Sequence, residues 1–292
     1  MPTVNGGAAL LRPTAEAAFD AWRAMAQANR EQVERLREEG PPRDFWAGRA
    51  AQFRPDGGLA AVETPYLLEL ARPDDRWLDI GAGGGRFGVP LARRVQQLVA
   101  VEPSPAMREV LGETTAEANL TNVTVLDVEW PPAQEGVVPR CDVSLTANVL
   151  YSIESLREFL EAMEQHTSRL CVAILGNRAP PTPDEPVWTE LHGEPLAALP
   201  ALPAFVAVLG AWGRRYDVRT FPLAPPQPVE LDEAVLRCRR FYWVAEGSAK
   251  EERLRELLLQ HYGQRSGLVA LPPRLSYTPA VAWAPPHAAS PS

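Results

Sequence analysis

Short apolar runs alternate with amphipathic stretches through the middle of the chain. Residues 76–80, 97–101, 123–126, 141–145 and 169–176 are each apolar over the length of a buried strand. Between them, 87–98, 105–118 and 153–166 place apolar side chains at helical spacing. This alternation predicts a parallel sheet with right-handed crossovers. Upstream, 13–39 reads as a long helix, with Thr14 as N-cap, Gly40-Pro41-Pro42 as its stop, and Ala18, Trp22, Met25 and Val33 on one face. A second helical stretch at 43–53, a turn at 55–58 and a helix at 64–71 lead into the first strand. Beyond 176 come a proline-rich loop at 177–186, a short helical turn at 187–191 and a helix at 200–212. A strand at 216–223, a proline loop at 224–228, helices at 231–245 and 250–262, and a last strand at 275–284 complete the pattern.

The first strand breaks into four glycines within five positions, Gly81, Gly83, Gly84 and Gly85, and a helix follows. Glycine lets a backbone turn tightly and admits a ligand close to it, and the loop delivers that ligand to free N–H groups at a helix start. The same residues would also serve a plain tight turn. Gly83-x-Gly85-x-x-Gly88 fits a dinucleotide fingerprint, but Asp79 precedes the first glycine. The second strand ends in Glu102, an acid placed to accept both hydroxyls of a ribose. The third ends in Asp127-Val128, and the fourth runs on to Thr146, Asn148 and Tyr151.

Four segments in this order, 78–85, 101–107, 122–127 and 141–145, resemble the class I S-adenosylmethionine-dependent methyltransferases. The resemblance covers about residues 60–176, plus a closing strand near the C-terminus. It implies an α/β fold with a doubly wound, mostly parallel seven-stranded sheet, whose last strand is antiparallel and inserts between the fifth and sixth. It implies S-adenosyl-L-methionine as cofactor. Asp79 would hold the glycine loop near the amino-acid moiety, and Gly81, Ala82, Gly83 and Gly85 would shape that loop. Glu102 and Pro103 would meet the ribose, and Met107 the adenine. Asp127 would meet the adenine amino group, and Val128 would offer a backbone N–H. Asn148 lies at the carboxyl end of the fourth strand, where open α/β sheets bind ligands, and a satisfied turn residue is its other reading.

The helical segments outside that core suggest four parts. These are a tail and N-terminal helical cap (1–60), the Rossmann-like core (61–176), the remaining strands with a helical substrate-side insertion (177–284) and a disordered tail (285–292). Residues 1–12 also read as disordered. A net charge of −8 argues against a nucleic-acid acceptor, since nucleic acid is usually met by a basic stripe. No run approaches a membrane span, and no Cys/His spacing suggests zinc or another metal. Cys141, Cys171 and Cys238 are far apart, which with the absence of a signal-like start points to the cytoplasm.

The expected function is methyl transfer to a small-molecule acceptor. Alternatives are a protein or RNA methyltransferase, an NAD-dependent oxidoreductase on the same loop, and a non-catalytic cofactor-binding module. On the acceptor side, Tyr151 follows the fourth strand, and His192 follows the fifth and titrates near neutrality. Either is a candidate catalytic residue, with a structural side chain as the alternative reading. Trp46 and Phe53 are placed to close over the cofactor or to pack an accessory helix.

Overall fold

The computed structural model describes residues 13–40, 43–57, 59, 61–179, 182–273 and 277–288. The elements in order are α1 (Ala15–Leu36), α2 (Thr64–Leu70), β1 (Arg76–Ile80), α3 (Gly88–Ala92), β2 (Gln97–Val101), α4 (Pro105–Glu117), β3 (Val123–Leu126), β4 (Cys141–Ala147) and α5 (Leu156–Gln165). There follow β5 (Thr167–Ile174), α6 (Glu185–His192), α7 (Leu202–Ala211), β6 (Tyr216–Pro222), α8 (Leu231–Cys238), α9 (Ala249–Tyr262) and β7 (Tyr277–Trp283).

The strands form one sheet in the order β3-β2-β1-β4-β5-β7-β6. All neighbours from β3 to β5 pair in parallel, and β7 runs antiparallel to both β5 and β6. The closing strand therefore sits between the fifth and sixth, as expected. Strands β1 and β2 are buried on both faces, which explains their continuous apolar sequence. The chain order reverses between β1 and β4, so the carboxyl ends of β1, β2 and β4 border the crevice where such sheets take ligands.

Two apolar layers flank the sheet. One joins Leu78, Ile80, Val99 and Val101 to α5 and α7, and it also takes in Ala18, Phe19 and Trp22 of α1. The N-terminal helix is thus part of the main core. Trp22 donates its indole N–H to Ile153 O at 2.8 Å, and Thr14 caps the helix by accepting from Ala17 N–H at 3.2 Å. The other layer packs Tyr66, Leu67, Phe87 and Leu91 against Trp77, Val143 and Val172. A third cluster stands apart: Val187, Trp188 and Leu191 of α6 pack on α8 and α9 through Val235, Leu254 and Leu258, with Leu36 of α1 at its edge.

Several boundaries differ from the sequence pattern. The helix expected over 87–98 is only Gly88–Ala92, because Asn122 Nδ2 donates to Ala92 O and Val95 O (2.8 and 3.0 Å) and takes the carbonyls that would continue it. The stretch 43–53 is mostly turns, ending in a 3-10 helix at Ala50–Phe53. There Asp44 Oδ1 accepts Trp46 N–H at 2.9 Å, a local bond that competes with helix formation. The helix expected over 231–245 stops at Cys238, and Trp243 beyond it holds φ +56°. Residues 285–288, expected within a disordered tail, form a turn in which His287 Nε2 lies 2.7 Å from Thr167 O. Residues 1–12 and 289–292 lie outside the described residues.

Candidate functional site

The glycine loop after β1 is folded back onto β2. Gly81 and Ala82 N–H both donate to Val101 O (2.8 and 3.2 Å), and Gly83 N–H donates to Glu102 Oε2 at 2.7 Å. Glu102 Oε1 accepts Ser104 N–H at 2.9 Å. The carboxylate is thus fixed by two backbone donors, and each oxygen keeps a second lone pair for a ligand.

Packing explains much of the glycine content. A Cβ on Gly81, at φ +75°, would lie 2.5 Å from Val149 Cγ2. One on Gly85, at φ +90°, would lie 2.9 Å from Leu111 Cδ1 and Val89 Cγ2. Gly84 faces Val110 and the backbone of Ala50 and Phe53. Only at Gly83 (φ +56°) would a Cβ find ordinary contacts, 3.7 Å from Phe53 Cβ and 3.8 Å from Met107 Sδ. Three of these glycines thus make room for the protein's own atoms.

The turn segment before Phe53 is strapped over this loop. Asp44 Oδ2 accepts from Ser104 Oγ (2.8 Å) and Ala106 N–H (3.1 Å), at the helix start that Ser104 caps. Desolvation works to raise the Asp44 carboxyl, but the hydrogen bonds from Trp46, Ser104 and Ala106 outweigh it and hold the group below its usual range. Arg54 ion-pairs with Glu113 and Glu117 of α4. Phe53 and Trp46 meet edge-to-face at 5.2 Å.

Two buried acids lie side by side here. Desolvation, then the nearby charge of Glu102, push Asp79 up to about 7, with Arg86 opposing. Glu102 is itself raised, by desolvation first, against the hydrogen bonds from Ser104 and Gly83. Asp127, with its side chain 70% exposed, pairs with Arg108 at 2.7 Å. Arg108 also donates to Glu102 O and Pro103 O (3.0 and 2.7 Å), tying the tips of β2 and β3 together. Met107 is buried beneath the loop, and Val128 packs on the main core.

At the tip of β4, Asn148 holds φ +60° and donates its N–H to Ile174 O at 2.8 Å. Its Oδ1 accepts from Tyr151 Oη at 3.2 Å, and Tyr151 Oη accepts Gly176 N–H at 2.7 Å. Tyr151 is buried, and desolvation raises its pKa strongly. The structure therefore makes Tyr151 a brace between β4 and β5, and its buried hydroxyl is poorly suited to proton transfer. His192 is not brought to the loop. It packs on Trp188 (4.3 Å between centroids) in the α6–α8–α9 cluster, with Nε2 3.0 Å from Tyr242 O and Nδ1 buried without a partner among the described residues. Desolvation lowers its pKa.

A cavity of about 1330 Å³ opens beside the loop. Arg86, Glu63, Asn148 and Thr278 line it at the carboxyl edge of the parallel strands, and the strap and the α8 region form its other walls. Glu63 is buried, its Oε1 accepts from Thr278 Oγ1 at 2.8 Å, and its Oε2 has no partner among the described residues. Thr146 Oγ1, at the end of β4, is likewise buried and unpartnered. Sequence reasoning missed Glu63 and Arg86. Glu63 stands before a helix, outside every motif, and Arg86 lies within the glycine loop with no pattern to mark it.

A family model described as a methyltransferase domain matches residues 22–172, just over half of the chain. The chain belongs to this methyltransferase-domain family. It is an S-adenosylmethionine-dependent methyltransferase, and S-adenosylmethionine is its cofactor. Among solved structures, this methyltransferase is similar to the YcgJ protein of Bacillus subtilis, with 15% identity, TM-score 0.52, and coverage of 76% of this chain and 97% of that one. It is also similar to YjhP of Escherichia coli, with 15% identity, TM-score 0.51, and coverage of 84% and 100%. At that identity the likeness speaks for the fold. A curated relative, the 23S rRNA (uracil(1939)-C(5))-methyltransferase RlmD of Klebsiella pneumoniae, is 47% identical over 83 residues, 28% of this chain. The chain covers only 18% of that protein's length.

The residues present fit this cofactor, which carries a sulfonium and an ammonium. Asp79 and Glu102 are crowded acids that a cationic ligand would relieve, and two buried oxygens, Glu63 Oε2 and Thr146 Oγ1, lack partners among the described residues. Among the described residues, no helix is long and apolar enough to cross a membrane, and no group of three or more His, Cys, Asp or Glu is placed to hold a metal ion.

Proposed function

We propose that this methyltransferase acts on a small-molecule acceptor by direct in-line transfer, with the acceptor bound in the 1330 Å³ cavity. That cavity is the observation that carries the reading. It borders the carboxyl edge of the sheet, and it lies between the strap and the helical insertion, where concave sites take small ligands. S-adenosylmethionine supplies a methyl group already activated by its sulfonium, so the protein's task is alignment and exclusion of water.

In this reading Asp79, Gly81, Ala82, Gly83 and Gly85 hold the amino-acid end of the cofactor. Glu102 and Pro103 take the ribose, while Met107, Asp127 and Val128 take the adenine. Asp127 must then share its carboxylate between the ligand and Arg108. Asn148 faces the transfer region, kept in its left-handed conformation by Tyr151. Glu63 lines the cavity, its buried Oε2 lacks a partner among the described residues, and it is the carboxylate assigned to take a proton from an acceptor that must lose one.

A nucleic-acid acceptor is the second reading, favoured by the short match to an rRNA methyltransferase. A net charge of −8 weighs against it. The test is incubation with methyl-labelled S-adenosylmethionine and separate small-molecule, RNA and protein fractions. Label in the small-molecule fraction is expected. Label confined to RNA or protein refutes the proposal.

A further inference from the structure

Two segments distant in sequence meet along one wall of the cavity through reciprocal contacts. The guanidinium of Arg240 stacks on the Phe45 ring, 3.9 Å from its centroid, and that of Arg49 lies over Phe241 at 5.1 Å. All four residues line the cavity. Trp243 beside them, 6.5 Å from Phe45 between ring centroids, holds the φ of +56° noted above. A bulky residue keeps that conformation only where its surroundings impose it, and such residues gather at ligand clamps.

The neighbouring arginines on this wall already have carboxylates. Arg237 reaches Glu233 at 2.5 Å, and Arg239 reaches Glu246 at 2.7 Å and Glu251 at 3.3 Å. Arg240 has no carboxylate partner among the described residues, and its half-burial lowers its pKa through desolvation. A stacked guanidinium keeps its edge free, and that edge is a planar fork shaped for two oxygens of one acid. Apolar side chains share the cavity with these charged groups: Leu223, Pro226, Leu271 and the 64% exposed Leu236.

We propose that this wall binds the acidic group of the acceptor, and that the acceptor is an organic carboxylate on an apolar, ring-sized body with Arg240 as its counter-ion. The inference rests on the small-molecule reading above and narrows it to organic anions. The acid at Arg240 and the body along Phe45 and Leu236 leave the acceptor's other end for the wall of Asn148 and Arg86.

Naphthalene-2-carboxylate and naphthalene-2-carboxamide share a shape and differ in charge, so they isolate this contact. Each is titrated into the full chain saturated with S-adenosylhomocysteine, as wild type, Arg240→Gln and Arg240→Lys. Wild type is expected to prefer the carboxylate by about tenfold or more, the scale of a charge-assisted pair. Arg240→Gln is expected to abolish the preference while S-adenosylhomocysteine affinity stays unchanged. Arg240→Lys, which keeps the charge without the fork, is expected to retain part of the preference, and it is the variant read if Arg240→Gln fails to fold. Equal affinity for the two probes in wild type, no binding of either at millimolar concentration, or a preference surviving Arg240→Gln overturns the proposal. Failure of wild type to bind S-adenosylhomocysteine would instead count against the cofactor-site assignment, and the probe pair can be read without that ligand.

Discussion

Replacing Asp79 by asparagine separates the cost of the cofactor site from its use. In the ligand-free fold the Asp79 carboxyl is pushed from 3.8 up to about 7 by burial and by Glu102. The folded chain therefore holds that proton more tightly than the unfolded chain does. This contribution to stability is fully present below the unfolded value. It is lost as pH rises through the folded value, after which the fold carries a buried charge. At about 1.4 kcal/mol per tenfold change in proton affinity, the full cost above pH 7 is on the order of 4 kcal/mol. Roughly 2–3 kcal/mol of it develops between pH 5 and pH 8. Asp79→Asn has nearly the same shape and no charge, so it should gain on wild type by that amount over that range. Urea unfolding of both ligand-free proteins at the two pH values measures it. Saturating S-adenosylmethionine should reverse the order, because only wild type presents an anion to the ligand's ammonium. A stability difference independent of pH, or an asparagine variant that weakens as pH rises, would refute the reasoning.

Gly81→Ala should unfold more readily by about 2–4 kcal/mol, since it combines a left-handed φ with a 2.5 Å approach to Val149, and adding Val149→Ala should recover part of the loss in thermal denaturation. Tyr151→Phe should cost about 1–2 kcal/mol of stability by orphaning Gly176 N–H and Asn148 Oδ1, and it should leave the pH profile of kcat unmoved, as should His192→Gln. Glu63→Gln should lower kcat by about 10²-fold or more with an acceptor that must lose a proton, without changing S-adenosylhomocysteine affinity.

The inner strands were legible because β1 and β2 are buried on both faces and begin and end where their apolar runs do; the edge strand β3, though half exposed, also matches its run. The closing antiparallel strand was a matter of family likeness, since nothing within 275–284 specifies its neighbours. What escaped the sequence was tertiary. The strap at 43–53 has helical spacing, but Asp44 spends its carboxylate on the start of α4, and the chain turns there. Asn122 ends α3 from the far side of β2. His192 follows the fifth strand as a substrate-side residue would, but α6 buries it against Trp188. Three of the loop glycines answer to Val149, Leu111 and Phe53, contacts that no local pattern records.

Calorimetric titration of S-adenosylhomocysteine into wild type and Glu102→Ala bears most directly on how the loop and the second strand hold the cofactor. Glu102 anchors Gly83 and Ser104 and stands where the ribose is assigned. Wild type is expected to bind, and the folded variant to lose about tenfold or more in affinity, the scale of hydrogen bonds to a charged group. Undiminished binding by folded Glu102→Ala would contradict the placement of the cofactor at this loop.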